Sequence, residues 1–216
     1  DPPHSHSGLN FRVVFNMKKF LALVLSLCMV FSLAAVASAA EIDADGGSGS
    51  TPVYLSSTAD GSIGGDPAPT AMSVTIPTGL PMAMSQSGDV TTADNCQIVN
   101  HSYGAVRVRS VSISAVDGWK LTAFGDKSSL AHEKVDSDKL GFALSIGGGA
   151  QVQTDASDAA SQALLTAPMT GCYLSGVGDA SGNAVDVAYA AIVTPLSQAV
   201  TNATVANVVF VVEWDT

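Results

Sequence analysis

Val106-Arg107-Val108-Arg109-Ser110-Val111-Ser112-Ile113 is the stretch on which the fold turns. Val106 and Val108 fall on one face of an extended chain and Arg107 and Arg109 on the other, the two-residue period of a half-buried strand. The alternation then slips at Ser110-Val111. A strict strand would carry Val111 on the polar face, so the slip predicts a β-bulge that returns Val111 and Ile113 to the apolar side. Just past it, Asp117-Gly118 reads as a turn, and residues 119–124 resume a strand that alternates Trp119, Leu121 and Ala123. Two turn residues between two strands predict a hairpin.

The same signals extend along the chain. Candidate strands lie at 53–57, 72–76, 80–85, 97–100, 172–175, 184–194 and 207–214, and Leu140, Phe142, Leu144 and Ile146 form a further clean alternation. Residues 206–212 are apolar on both faces, which predicts a central strand. Gly147-Gly148-Gly149 reads as a flexible turn, and the Ala-rich stretch 155–165, opened by Asp155 and Asp158, as a short helix. Many short strands, Gly, Asp and Asn turns and almost no helix predict an all-β fold, an antiparallel β-sandwich of Ig-like or jelly-roll type. Alternating strand–helix units are missing, which excludes a doubly wound sheet.

This domain, 51–216, is expected to follow an export signal. Met17 is followed by Lys18 and Lys19, an apolar run over 20–36 and the small residues Ala37-Ser38-Ala39-Ala40. A basic start, an apolar middle and an Ala-x-Ala site make a secretory signal peptide at 17–39. Residues 1–16 read as an upstream remnant, so His4 and His6 carry no weight as ligands. An uncleaved anchor is the competing reading, but the run falls short of the ~20 apolar residues a spanning helix needs. No stable membrane anchor is expected after cleavage. Leu27 is too large to precede a lipidated cysteine at Cys28. Residues 40–50 form a flexible acidic linker, in which Asp43-x-Asp45-Gly46 lacks the remaining ligands of a calcium loop.

Composition narrows the function. The chain has 216 residues, of which 47% are hydrophobic and 13% charged, and nineteen acids against nine bases give a net charge of −10. Disorder requires more charge and fewer apolar residues. Nucleic-acid binding requires basic surface that this chain lacks. Cys96 and Cys172 are the cysteines left after the signal, and in an exported chain they are expected to form one disulfide, closing a loop worth about 4 kcal/mol. Two buried free thiols are the alternative. His101 and His132 stand alone, with no metal-ligand spacing, and no nucleophile elbow, phosphate loop or Cys-x-x-Cys occurs. The Asp residues are scattered through turns, where they bond the backbone. No catalysis, cofactor or metal is expected; an exported hydrolase would need two carboxyls facing across a cleft.

The two tryptophans carry a resemblance. Asp117-Gly118-Trp119-Lys120-Leu121 places a Trp-x-Leu after a turn, and Glu213-Trp214-Asp215-Thr216 places a second Trp motif in the last strand. With the signal peptide and β-rich body, 51–216 resembles the WxL-domain proteins of Gram-positive cell surfaces. Thr216 stands where that family has Leu. The resemblance implies a secreted, wall-associated β-sandwich attached non-covalently to peptidoglycan through Trp119, Leu121 and Trp214. Read from the residues alone, both tryptophans are instead core plugs between two sheets, buried on neighbouring strands.

The expected function is therefore a non-catalytic secreted surface protein that binds cell-wall polymer or another surface protein. The alternative is a structural subunit of an extracellular fibre: the linker leads into Val53-Tyr54-Leu55, which would add as a strand to a neighbour's open sheet edge. Self-association is expected in that case.

Overall fold

β-Branched and alternating apolar residues put nearly all the regular structure into strands. In the computed structural model, which describes residues 53–116 and 118–216, the first six are β1 (Val74–Thr75), β2 (Met82–Met84), β3 (Val90–Thr92), β4 (Gln97–Asn100), β5 (Val106–Ala115) and β6 (Lys120–Thr122). They are followed by β7 (Lys139–Ile146), β8 (Val152–Gln153), β9 (Ser161–Leu165), β10 (Tyr173–Leu174), β11 (Ala184–Val193) and β12 (Ala206–Trp214). A 3-10 turn at Lys127–Leu130 is the one helical element among the described residues. The described residues are all-β, and their strands pair antiparallel except for β6 with β7. The upstream segment, signal and linker expected over 1–50 lie outside the described residues, as does Asp117.

Thr70–Thr216 forms one compact unit. Its six-stranded sheet runs β1-β4-β11-β7-β6, with β8 also on β7, and its four-stranded sheet runs β10-β5-β12, with β9 also on β5. A third, two-stranded sheet is β2-β3. β5 is the axis of the four-stranded sheet: β12 follows one flank along its length, while β10 and β9 share the other. Both larger sheets contribute to one apolar core, in which Ile98, Leu140, Leu144 and Val187 meet Val106, Val108, Ile113 and Leu174.

The predicted bulge is present. Val211 pairs with Ser110 but Val212 pairs with Val108, leaving Arg109 as the extra residue. Val106, Val108, Val111 and Ile113 are all buried, on either side of it. Buried polar groups then tie strands that hydrophobicity alone would not align. Thr154 Oγ1 donates to Thr122 O at 2.6 Å and accepts the Phe142 N–H at 2.9 Å, joining β6 to β7. Asn100, fully buried, donates to Gly104 O and Ser175 O and accepts the Ser102 N–H. Tyr189 Oη donates to Pro81 O and accepts the Ala93 N–H, fixing β11 against the chain flanking β2 and β3.

Several expectations are corrected. β6 does not return along β5 as a hairpin; it pairs with β7, and in parallel. β5 and β6 thus lie in different sheets. The stretch 155–165 is not helical: Asp158 adopts φ +56° and Ser161–Leu165 joins the sheet beside β5, whose open flank outweighs the helical preference of alanine. β12 is not central. It pairs with β5 alone among the described residues, and Val209 and Val211 are exposed.

In the Asp1–Pro69 unit the described residues are 53–69. Thr58 and Pro67 pair across a small loop, within which Asp60 accepts from the Ser62 N–H and hydroxyl. Residues 53–57 form no strand, and Val53, Tyr54 and Leu55 are exposed, because nothing described pairs with them.

Candidate binding face

The three residues singled out by the tryptophan motifs do not form one site. The Trp119 N–H donates to Val116 O at 2.9 Å, closing the turn just before β6, and its ring is half-buried against the core. Leu121 is fully buried, its backbone bonded in both directions to Ala159. Trp214 ends β12 opposite Val106, and its half-buried ring covers Gly104, where a Cβ would come within 3.0 Å of Cζ3. Trp119 lies beyond the far end of β5 from Trp214, so the ten residues of that strand put about 30 Å between them. The tryptophans therefore belong to different sheets and opposite ends, not to neighbouring strands.

The expected disulfide is absent as well: Cys96 and Cys172 are buried free thiols. Each sulfur sits in a different neighbourhood. Cys96 Sγ faces Gly79 O at 3.9 Å beside Tyr189, whereas Cys172 lines a small apolar gap with Leu144, Ile146, Val152, Leu165 and Met169.

What the fold does assemble is the outer face of the four-stranded sheet. Burying Val106, Val108, Val111 and Ile113 forces the intervening residues of β5 outward. Directly opposed residues share a face, so the pairing builds rows across strands. Tyr173, Arg107 and Glu213 form one row over β10, β5 and β12. Beyond the bulge, Ser110 meets Val211, Ser112 lies between Ala163 and Val209, and Ser114 lies between Ser161 and Asn207. The result is a shallow open trough with a serine floor, walled by Val211 on one side and Ala163 and Thr166 on the other.

Its charged end is internally matched. Arg107 Nε donates to Glu213 Oε1 at 2.8 Å and Nη1 reaches Asp215 Oδ1 at 3.2 Å, while Arg109 Nη1 stands 3.6 Å from Glu213 Oε2. The hydrogen bond that Arg107 donates to Glu213 raises the Arg107 pKa above its ordinary value, against the opposing effect of burial. Two guanidiniums thus hold two carboxylates in place, leaving Tyr173 beside them half-exposed.

Other carboxylates serve the scaffold. Lys139 Nζ contacts Glu133 at 2.9 Å and Asp158 at 3.0 Å, and the hydrogen bond from Lys139 lowers the Asp158 pKa. Asp136 accepts from the Ser197 hydroxyl and N–H, which lowers its pKa in turn. A depressed folded-state pKa gives stability above the unfolded value near 3.9 that is lost as pH falls through the folded one. Stability should therefore hold level down to about pH 5 and decline below about pH 4. Urea midpoints across this range test it, with Asp158→Asn expected to flatten the acid limb; a midpoint constant from pH 5 to about pH 2 would contradict it.

Among the described residues, no three His, Cys, Asp or Glu side chains gather as metal ligands, and no helix is long and apolar enough to cross a membrane. His101 Nε2 bonds Thr75 Oγ1 at 2.9 Å. Sequence patterning marked Arg107 and Arg109 as outward-facing but gave Tyr173, Ser112 and Glu213 no role, because strand alternation orients a residue without naming its cross-strand neighbour. Comparison of the chain with protein-family models, with curated proteins and with solved structures gave no match.

Proposed function

We propose that this chain is a non-catalytic protein of the cell surface, an exported antiparallel β-sandwich that binds cell-wall polymer or another surface protein across the outer face of its four-stranded sheet. The observation that carries the reading is the row Tyr173–Arg107–Glu213 opening onto the serine trough. An exposed aromatic ring offers a platform for a sugar ring or an apolar side chain. The paired guanidinium and carboxylate beside it are already oriented for hydrogen bonding, and the small floor lets an extended chain approach the sheet. The tryptophan motifs contribute differently from the WxL pattern: Trp214 buttresses the loop at Gly104, and Trp119 stands at the far end.

Retention of the protein on purified Gram-positive wall tests the proposal. Tyr173→Ala should weaken retention about three- to tenfold, the loss of one aromatic contact. Trp119→Ala should leave retention by the folded protein unchanged. Full retention by Tyr173→Ala, or loss confined to Trp119→Ala, would move the binding surface away from this face.

The exposed Val53-Tyr54-Leu55 favours a second reading, a fibre subunit assembled by strand addition. It makes an opposite prediction about assembly, which the experiment below separates.

A further inference from the structure

We propose that two copies of this chain join through β12, edge to edge and antiparallel, about a twofold axis at Phe210. The inference goes beyond the binding reading, because it concerns the rim of the sheet and leaves Tyr173 and Arg107, on β10 and β5, open.

The edge is nine residues long and pairs with β5 alone among the described residues. Proteins blunt such edges with lysine, proline, a bulge or short length. β12 has none of these; its partner β5 carries the bulge instead. The direction of its free backbone groups follows from two hydrogen bonds. Val205 O accepts the Val116 N–H, and the Asp215 N–H donates to Ala105 O. Backbone groups alternate in direction along a strand, so odd-numbered residues of β12 face β5. Ala206, Val208, Phe210, Val212 and Trp214 then turn their N–H and C=O groups to the open side.

The sequence of this edge is self-complementary. Val208-Val209-Phe210-Val211-Val212 reads the same in both directions. Antiparallel pairing centred on Phe210 sets Phe210 opposite its copy, Val208 opposite Val212, and Val209 opposite Val211. It also sets Asn207 opposite Glu213, an amide donor against a carboxylate acceptor, and Ala206 opposite Trp214, the smallest side chain against the largest. Every outward-turned backbone group in this register meets an outward-turned one, so the ladder continues without interruption. Val208, Phe210 and Val212 are only half-buried in the single chain, and a second copy would cover their open side. Charge does not oppose the approach, since Glu213 and Asp215 are held by Arg107 and Arg109. Such a contact is the same patch on both partners and closes at two.

The test combines sedimentation of the intact chain with single-cysteine crosslinking under mild oxidation, Cys96 and Cys172 being buried. A concentration-dependent dimer is expected. Phe210→Cys should crosslink to its own copy, and Asn207→Cys, whose counterpart lies about 20 Å away across the axis, should not. Val209→Lys alters an exposed side chain and keeps the fold testable; it should weaken the dimer about tenfold or more. A monomer at the highest soluble concentration would overturn the proposal, as would equal crosslinking of Asn207→Cys. Open-ended polymers that vanish on deleting residues 53–57 would overturn it in favour of strand addition. Wall retention is read with Tyr173→Ala and Trp119→Ala, neither of them on β12, so the two readings fail separately.

Discussion

Replacing Leu121 with alanine is expected to lower folding stability by about 2–5 kcal/mol and to leave binding by the folded fraction unchanged. Leu121 is fully buried in β6, between its parallel neighbour Leu140 on β7 and the backbone bridge to Ala159. The side chain faces the shared core, and its removal leaves a cavity that strands pinned on both sides cannot collapse into. Chemical denaturation beside wall retention separates the two roles. A stability change under about 1 kcal/mol together with lost retention would make Leu121 a contact residue, as the Trp-x-Leu resemblance implies.

The second large effect is expected at Gly171. It adopts φ +93°, and a Cβ there would lie 2.1 Å from Ile146 O. The approach is reciprocal: a Cβ at Gly147, itself at φ +56°, would meet Gly171 O at 2.5 Å. The turn after β7 and the strand-like chain entering β10 therefore touch backbone to backbone, with Cys172 immediately beyond, its carbonyl accepting the Val108 N–H. Gly171→Ala combines a left-handed backbone with a collision against main chain, and should cost at least about 3 kcal/mol. Gly148→Ala is the comparator. Its φ is +69° but nothing lies within 4 Å of the added carbon, so only the backbone strain of about 1–2 kcal/mol applies. Equal denaturation midpoints for the two variants would show that the close approach is not restrictive.

That contact also marks where sequence reading stopped. Gly147-Gly148-Gly149 read as a flexible turn because glycine signals a permissive backbone without saying whether permission is needed for a turn or for a neighbour. Strand identity was legible wherever one face is buried: β5 with its bulge, β7 and β11 all follow side-chain alternation. Partner choice was not legible. Residues 119–124 read as the returning arm of a hairpin with β5, yet Lys120–Thr122 pairs in parallel with β7. The 155–165 stretch has the composition of a helix, yet Ser161–Leu165 completes a flank that β10 leaves uncovered. The valines of β12 signalled burial on both faces, whereas one of those faces is the exposed wall of the trough. The same blindness to pairing split the tryptophans, whose spacing in the chain gives no hint that β5 lies between them.

The pairing of β5 with β12 joins residues roughly a hundred positions apart. The strand at the centre of the four-stranded sheet thus waits for β12 before its second flank is covered. Folding dominated by such distant contacts is slow, on the millisecond-to-second scale typical of all-β domains. A chain made from its amino end holds one flank of β5 unpaired until β12 has been made, and the four-stranded sheet closes only then.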